Sequence, residues 1–158
     1  MFARPLAASL FLYKWGEGGV ANASGVANAS DTISIMGKIK IDAADKAFSL
    51  YIRTRDGWRC KRCGKQYQPP TSALHCSHFQ GRGKEATRFE PLNCDSLCYG
   101  CHRHFTSHPG EHYEWQVKTK GQAVVNKLIM QSNTYKKKDR KLEKLIWDKA
   151  LDELKVVE

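Results

Sequence analysis

Two Cys-x-x-Cys pairs constrain this chain more than anything else in it. Cys60 and Cys63 lie in RDGWRCKRCG, and Cys98 and Cys101 lie in LCYGCHRH. Four thiolates in two close pairs wrap a tetrahedral zinc ion and leave it no open position, so a site of this kind is structural. Its binding free energy becomes folding free energy, on the order of 10 kcal/mol or more. A chain of 158 residues with 41% hydrophobic content can bury only a modest core and gains from such a staple. Paired cysteines at this spacing point to metal ligation in a reducing compartment rather than to disulfides. Cys76 and Cys94 are left over and read as small buried hydrophobes. Closing the two pairs on one ion gathers His75, His78, Asn93 and His102, which lie between or beside them.

Around that centre the chain divides into three. Residues 1–35 hold a short apolar run, Leu6 to Tyr13, too short to span a bilayer, and a perfect tandem GVANAS repeat from Gly19 to Ser30. They are expected to be a disordered or dispensable extension, with Met36 as the natural start. Residues 36–134 form the expected folded domain, and 135–158 an amphipathic basic helix. Within the domain, Asp42 caps a helix reaching Asp56, with Phe48, Tyr51 and Ile52 as its apolar stripe and Gly57 as its stop. Leu74 to Phe79 is a strand candidate, Gly81 to Arg88 a basic glycine-containing loop, and Phe89 to Leu97 holds a second strand. A helix from about Tyr99 carries His102. Pro109 opens another helix through Tyr113, Trp115 and Val117 to Lys120, ended by Gly121, and Gln122 to Gln131 makes the next. In the tail, Leu142, Leu145, Ile146, Ala150 and Leu154 recur at helical spacing. That helix either packs on the domain or serves as a basic arm or dimerisation contact. The fold class is α+β, a small zinc-stapled core with flanking helices.

Charge concentrates on the same segment. The chain carries a formal +10, and residues 36–134 hold sixteen basic against eight acidic side chains. A polyanion, most simply nucleic acid, is the natural partner; a generic basic surface is the alternative. Arg82, Lys84 and Arg88, in the loop between His78 and Asn93, are candidate phosphate contacts, or else surface charge or an internal salt bridge.

The histidines supply chemistry. Phosphodiester cleavage requires an activated water, an opposed leaving oxygen and positive charge near the phosphoryl oxygens. A neutral histidine can take the water's proton, and an asparagine can hold the histidine-bearing strand by hydrogen bonds. His78, His102 and Asn93 provide these parts. His104 and His108, four apart, either extend a metal site or are exposed histidines at a helix end.

RDGWRCKRCG, a histidine at a strand end, Asn93 and LCYGCH together resemble the HNH nuclease superfamily with a four-cysteine zinc. HCSHFQGRGKEATRFEPLNCDSLCYGCHRHF more closely resembles the phage NinG (Rap) recombination proteins, and HYEWQVKTKGQAVVNKL continues the likeness; it covers about Ala47 to Leu128. The resemblance implies a ββα-metal (HNH, treble-clef-like) core and a DNA endonuclease. His78 is then the general base, Asn93 the central asparagine and His102 a ligand of the catalytic ion, magnesium, manganese or zinc. Cys60, Cys63, Cys98 and Cys101 are the structural zinc ligands. Many HNH enzymes carry an aspartate before the base, where this chain has Ser77. NinG-like sequences carry a histidine three residues before the base, which makes His75 the second ligand, with Cys76 as the alternative, because strand alternation sets residues three apart on opposite faces. The implied substrate is branched DNA, with a homodimer as the candidate assembly, in a phage- or prophage-bearing bacterial cytoplasm with no membrane association. A non-catalytic zinc module that binds nucleic acid, and an HNH enzyme of linear duplexes, are the rival readings.

Overall fold

The computed structural model describes residues 39–156. The expected N-terminal extension, its repeat and the proposed start at Met36 lie outside the described residues. Helix α1 (Ala43–Arg55) begins where Asp42 caps it: the Asp42 carboxylate accepts from the Asp45 N–H and the Asp45 carboxylate accepts from the Asp42 N–H, a reciprocal capping box. Past its C-terminus the chain makes two left-handed residues in succession, Gly57 (φ 60°) and Trp58 (φ 53°), which turn it sharply into the first cysteine pair.

Strands β1 (Leu74–His78) and β2 (Cys94–Cys98) pair antiparallel, with Leu74 opposite Cys98 at one end and His78 opposite Cys94 at the other. Between them run two short 3-10 turns, Glu85–Thr87 and Pro91–Asn93. Helix α2 (Tyr99–Ser107) follows β2 directly; α3 (Pro109–Lys120), α4 (Gln122–Ser132) and α5 (Arg140–Val156) complete an α+β arrangement of a small antiparallel sheet and five helices among the described residues. The second strand takes the later part of the stretch expected to hold it, because Phe89 to Asn93 is drawn into turns by Pro91 and by the Asn93 side chain.

The C-terminal end of α1 is fixed to the start and middle of β2. The Arg55 guanidinium donates to the carbonyls of Pro91 and Cys94 at 2.9 Å each, and the Asp56 carboxylate accepts the Ser96 N–H at 2.8 Å. One apolar cluster gathers Ala44, Phe48, Ile52, Cys76, Phe89, Cys94 and Trp147; the other gathers Cys60, Leu74, Leu97, Cys101 and Phe105. Polar side chains fill part of the interior, and α5 buries a different stripe from the expected one. On α3 the buried residues are His112 and Gln116, while Tyr113 faces outward. On α5 the face against α1 is Glu143, Trp147 and Leu151, leaving Leu142, Leu145 and Ile146 largely exposed. Trp147 decides that docking: its ring meets Phe48 at 4.7 Å and Tyr51 at 4.9 Å, and its N–H donates to Glu143 at 3.0 Å. No helix among the described residues is long and apolar enough to cross a membrane.

Candidate metal centre and histidine cavity

The four paired cysteines meet. The sulfurs of Cys60, Cys63, Cys98 and Cys101 all lie within 4.8 Å of one another, with Cys63 and Cys98 at 3.9 Å. The first pair sits on a tight knuckle: the Cys60 N–H donates to Lys65 O at 2.9 Å, and the Gly64 N–H donates to Cys60 O at 2.8 Å, with Gly64 at φ 75°. The Lys61 N–H donates to Ser96 O at 2.8 Å, joining the knuckle to β2. The second pair straddles the start of α2, whose first turn presents free N–H groups and the positive end of the helix dipole. Burial pushes the Cys98 thiol up, but the Cys101 N–H and the neighbouring thiols carry it down to about 7, while burial and those same thiols push Cys101 up to about 12. Four sulfurs this close share protons when no cation separates them, and a zinc-sized cation would relieve that conflict. The donor set therefore fits a structural metal such as zinc.

His78 stands at the other end of the hairpin. His78 Nε2 lies 3.0 Å from the Arg88 carbonyl oxygen. A carbonyl only accepts, so Nε2 bears the proton and Nδ1 keeps the lone pair. Burial, reinforced by the Arg82 charge, pushes the His78 imidazole down to about 4, so it is neutral near pH 7. His75 and His102 meet across the sheet and α2, their Nδ1 atoms 3.0 Å apart. Burial, and then the His75 and Arg82 charges, lower the His102 pKa. His78 and His102 both line a shallow cavity of about 400 Å³ with Ile39, Ile41, Cys76, Gly81 and Arg82. They also share the walls of a smaller neighbouring cleft with Ser77, Phe79 and His112.

Asn93 touches neither cavity. It is fully buried, donates to Gln80 O at 2.8 Å and Thr87 O at 3.0 Å, and accepts the Gln80 N–H at 2.7 Å. It closes the loop that follows His78 and so positions the histidine rather than meeting a ligand.

The three basic loop residues separate. Arg82 stands on the cavity wall, with its Nε buried and unpartnered. Lys84 is exposed. Arg88 is a correction: it is buried and has no free face for a phosphate. Its guanidinium donates to both Asp45 carboxylate oxygens, at 2.9 and 2.6 Å, to Glu85 at 3.2 Å and to the Lys40 carbonyl at 2.9 Å. Burial opposes ionisation of Asp45, and the Arg88 bond leads the interactions that bring its pKa below the ordinary value. Arg88 thus ties the 39–41 segment over the cavity and holds His78 through its own carbonyl. Only the fold could reveal this, because its acidic partner lies 43 residues away.

Two side-chain groups escaped the sequence reading. Cys76, His78 and Cys94 converge, their ligand atoms within 4.8 Å of one another. The strand period could have placed Cys76 beside His78, but Cys94 required the register. The second is a buried network beneath the hairpin, in which Asp95 accepts from Gln116 at 2.8 Å and Lys120 at 2.7 Å. His112 Nε2 lies 3.2 Å from Gln116 Nε2, so it accepts from that amide. On the surface, His104, His108 and Glu111 also cluster, with His104 Nε2 2.7 Å from Glu111 Oε2.

No protein-family model matches the chain, and no solved structure matches it. A stretch of 58 residues is 41% identical to a histidine–tRNA ligase of Geobacter sulfurreducens. That stretch spans 36% of this chain and 14% of the ligase.

Proposed function

We propose that this chain is a metal-dependent DNA endonuclease of the HNH type, with a ββα-metal core, that hydrolyses phosphodiester bonds. Its substrate is branched recombination or replication DNA, in the cytoplasm of a phage- or prophage-bearing bacterium. The observation that carries the reading is the state of His78: neutral, fixed in one tautomer by the Arg88 carbonyl, and sharing a cavity with His102 and Arg82.

His78 Nδ1 would take a proton from a water molecule held in the cavity as its oxygen attacks phosphorus. A phosphodiester anion brought alongside raises the basicity of that imidazole by Coulomb attraction for its protonated form. Arg82, on the cavity wall, would meet a non-bridging phosphate oxygen with its guanidinium. Asn93 keeps the loop after β1 closed, so His78 does not swing away. His102 and His75 fit a divalent ion: two ligands at about 2.1 Å and a right angle lie about 3 Å apart, the separation of their Nδ1 atoms. Bound there, such an ion would supply positive charge for the leaving oxygen. Imidazole donors favour manganese and later transition ions over magnesium. Cys60, Cys63, Cys98 and Cys101 would hold the structural zinc and set the distance between β1 and α2.

The test is cleavage of supercoiled and four-way-junction DNA with and without chelator. Manganese should support cutting, and His78→Ala should lower it by about 10²- to 10⁴-fold while leaving DNA binding intact. Undiminished cutting by that variant would remove His78 from its role. A preference for unbranched duplex would move the substrate to linear DNA.

One observation favours a second reading, a zinc-dependent module that binds nucleic acid without cutting it. Among the described residues, no carboxylate lines the cavity of His78 and His102; Ser77 stands where many HNH enzymes have aspartate, and Asp95 opposite it is already bound by Lys120 and Gln116. Uncut DNA under every divalent ion, with binding retained, would favour it.

A further inference from the structure

The face of the hairpin that packs on α1 carries three soft or borderline donors, of which the proposed reaction uses only His78. Cys76 and His78 are two apart on β1 and so share a face. Cys94 stands opposite His78 in the register and joins them. Their ligand atoms all lie within 4.8 Å of one another. Ligands of a tetrahedral zinc, at about 2.3 Å for sulfur and 2.0 to 2.1 Å for nitrogen, sit roughly 3.3 to 3.8 Å apart. Small side-chain rotations therefore close the set. Because His78 Nε2 is committed to the Arg88 carbonyl, the nitrogen left for a metal is Nδ1.

Cys94 is fully enclosed and Cys76 nearly so, while Cys76 and His78 line the cavity that also holds His102 and Arg82. Three ligands thus converge from the protein side, and the fourth position opens to the cavity. Binding would expel both thiol protons to solvent and leave two thiolates, a neutral imidazole and a divalent ion, with no net charge to bury. The donor set selects zinc or cadmium and excludes magnesium.

We propose that Cys76, His78 and Cys94 form a second metal site, selective for thiophilic ions, and that zinc bound there silences cutting by occupying the lone pair of His78 Nδ1. The silencing rests on the endonuclease reading; the site does not. Magnesium or manganese would then support the reaction, and zinc beyond the structural equivalent would stop it.

The experiment starts from the full chain holding one zinc. Zinc is added while native mass spectrometry counts bound ions and manganese-driven cutting is followed in parallel. A second tight zinc is expected, with cutting reduced tenfold or more as it binds. Cobalt offered to the one-zinc protein should give thiolate-to-cobalt charge-transfer absorption without release of the first zinc. Cys94→Ala should keep one zinc, lose the cobalt band and resist added zinc. The cobalt measurement on the unaltered protein stands even if that variant fails to fold.

A second equivalent that gives no sulfur band would overturn the site and move the ion to an imidazole site: either the His75–His102 pair, where His102→Ala would abolish it, or the surface cluster of His104, His108 and Glu111, where His108→Ala would. Manganese-driven cutting with no second equivalent would overturn the site and leave the endonuclease reading. A second equivalent with the sulfur band, in a protein that never cuts, would overturn the endonuclease reading and leave the site. Cutting unaffected by a bound second zinc would overturn the silencing.

Discussion

The two ends of the hairpin carry cysteines in opposite circumstances. At the Leu74–Cys98 end, four sulfurs converge and would together complete a tetrahedral shell. At the His78–Cys94 end, two sulfurs and one imidazole leave a position open to a cavity. The same strands thus present one cluster closed to chemistry and one open to it. Ligand number and access separate a structural centre from a reactive one, even though both draw on the same residue types.

The largest effect should fall at the closed end. Chelation of the structural metal, or Cys60→Ser, should cost on the order of 10 kcal/mol and collapse the fold. Loss of near-ultraviolet circular dichroism and of dispersed amide resonances would report it; a native spectrum without metal would break the contrast.

The next effect belongs to the open end's scaffold. Arg88→Met strands the Asp45 carboxylate in a buried site and should destabilise the protein by about 3 to 5 kcal/mol in urea melts. Were Arg88 instead a phosphate contact, the loss would appear in DNA affinity with the melt unchanged. Asp45→Asn combined with Arg88→Met should recover part of the stability, since no charge is then left alone.

Acid should act on the open end too. His78 and His112 are both pushed down to about 4 by burial, against about 6.5 in an unfolded chain. Between those values the unfolded state binds protons that the fold refuses, so stability falls as pH drops from about 6.5 to 4, and the loss is complete below that. Each imidazole contributes at most about 3 kcal/mol. His78→Asn should flatten the slope of stability against pH in that window, as measured by urea melts at successive pH values; an unchanged slope would place the proton uptake elsewhere.

The smallest effect is Lys84→Ala. This exposed residue should leave stability within about 0.5 kcal/mol and lower the salt dependence of DNA binding by about one unit of slope. A larger stability change would mean that Lys84, like Arg88, is spent inside the protein.

Much of this was legible in the residues because it depends on local order. Asp42 caps α1, Phe48 and Ile52 recur on one side of it, Pro109 opens α3 and Gly121 closes it, and each statement concerns neighbours within a turn or two. The four zinc-type cysteines were legible for a related reason, since the first pair is held at fixed spacing by its knuckle and the second by the first turn of α2. The stripe of α5 was misjudged because counting leucines gives no weight to one tryptophan that finds two aromatic partners.

By itself, the sequence determined that this chain builds a small mixed fold around two thiolate pairs and puts histidines between them. Only the tertiary structure decided what each side chain is free to do. It committed Arg88 to Asp45, set His75 against His102, tied Nε2 of His78 to the Arg88 carbonyl and drew Cys94 beside Cys76. Those outcomes hang on strand register and on partners tens of residues apart. The cost of burying a charge or an unbonded polar atom selects among such arrangements, and that cost is not written in the order of the residues.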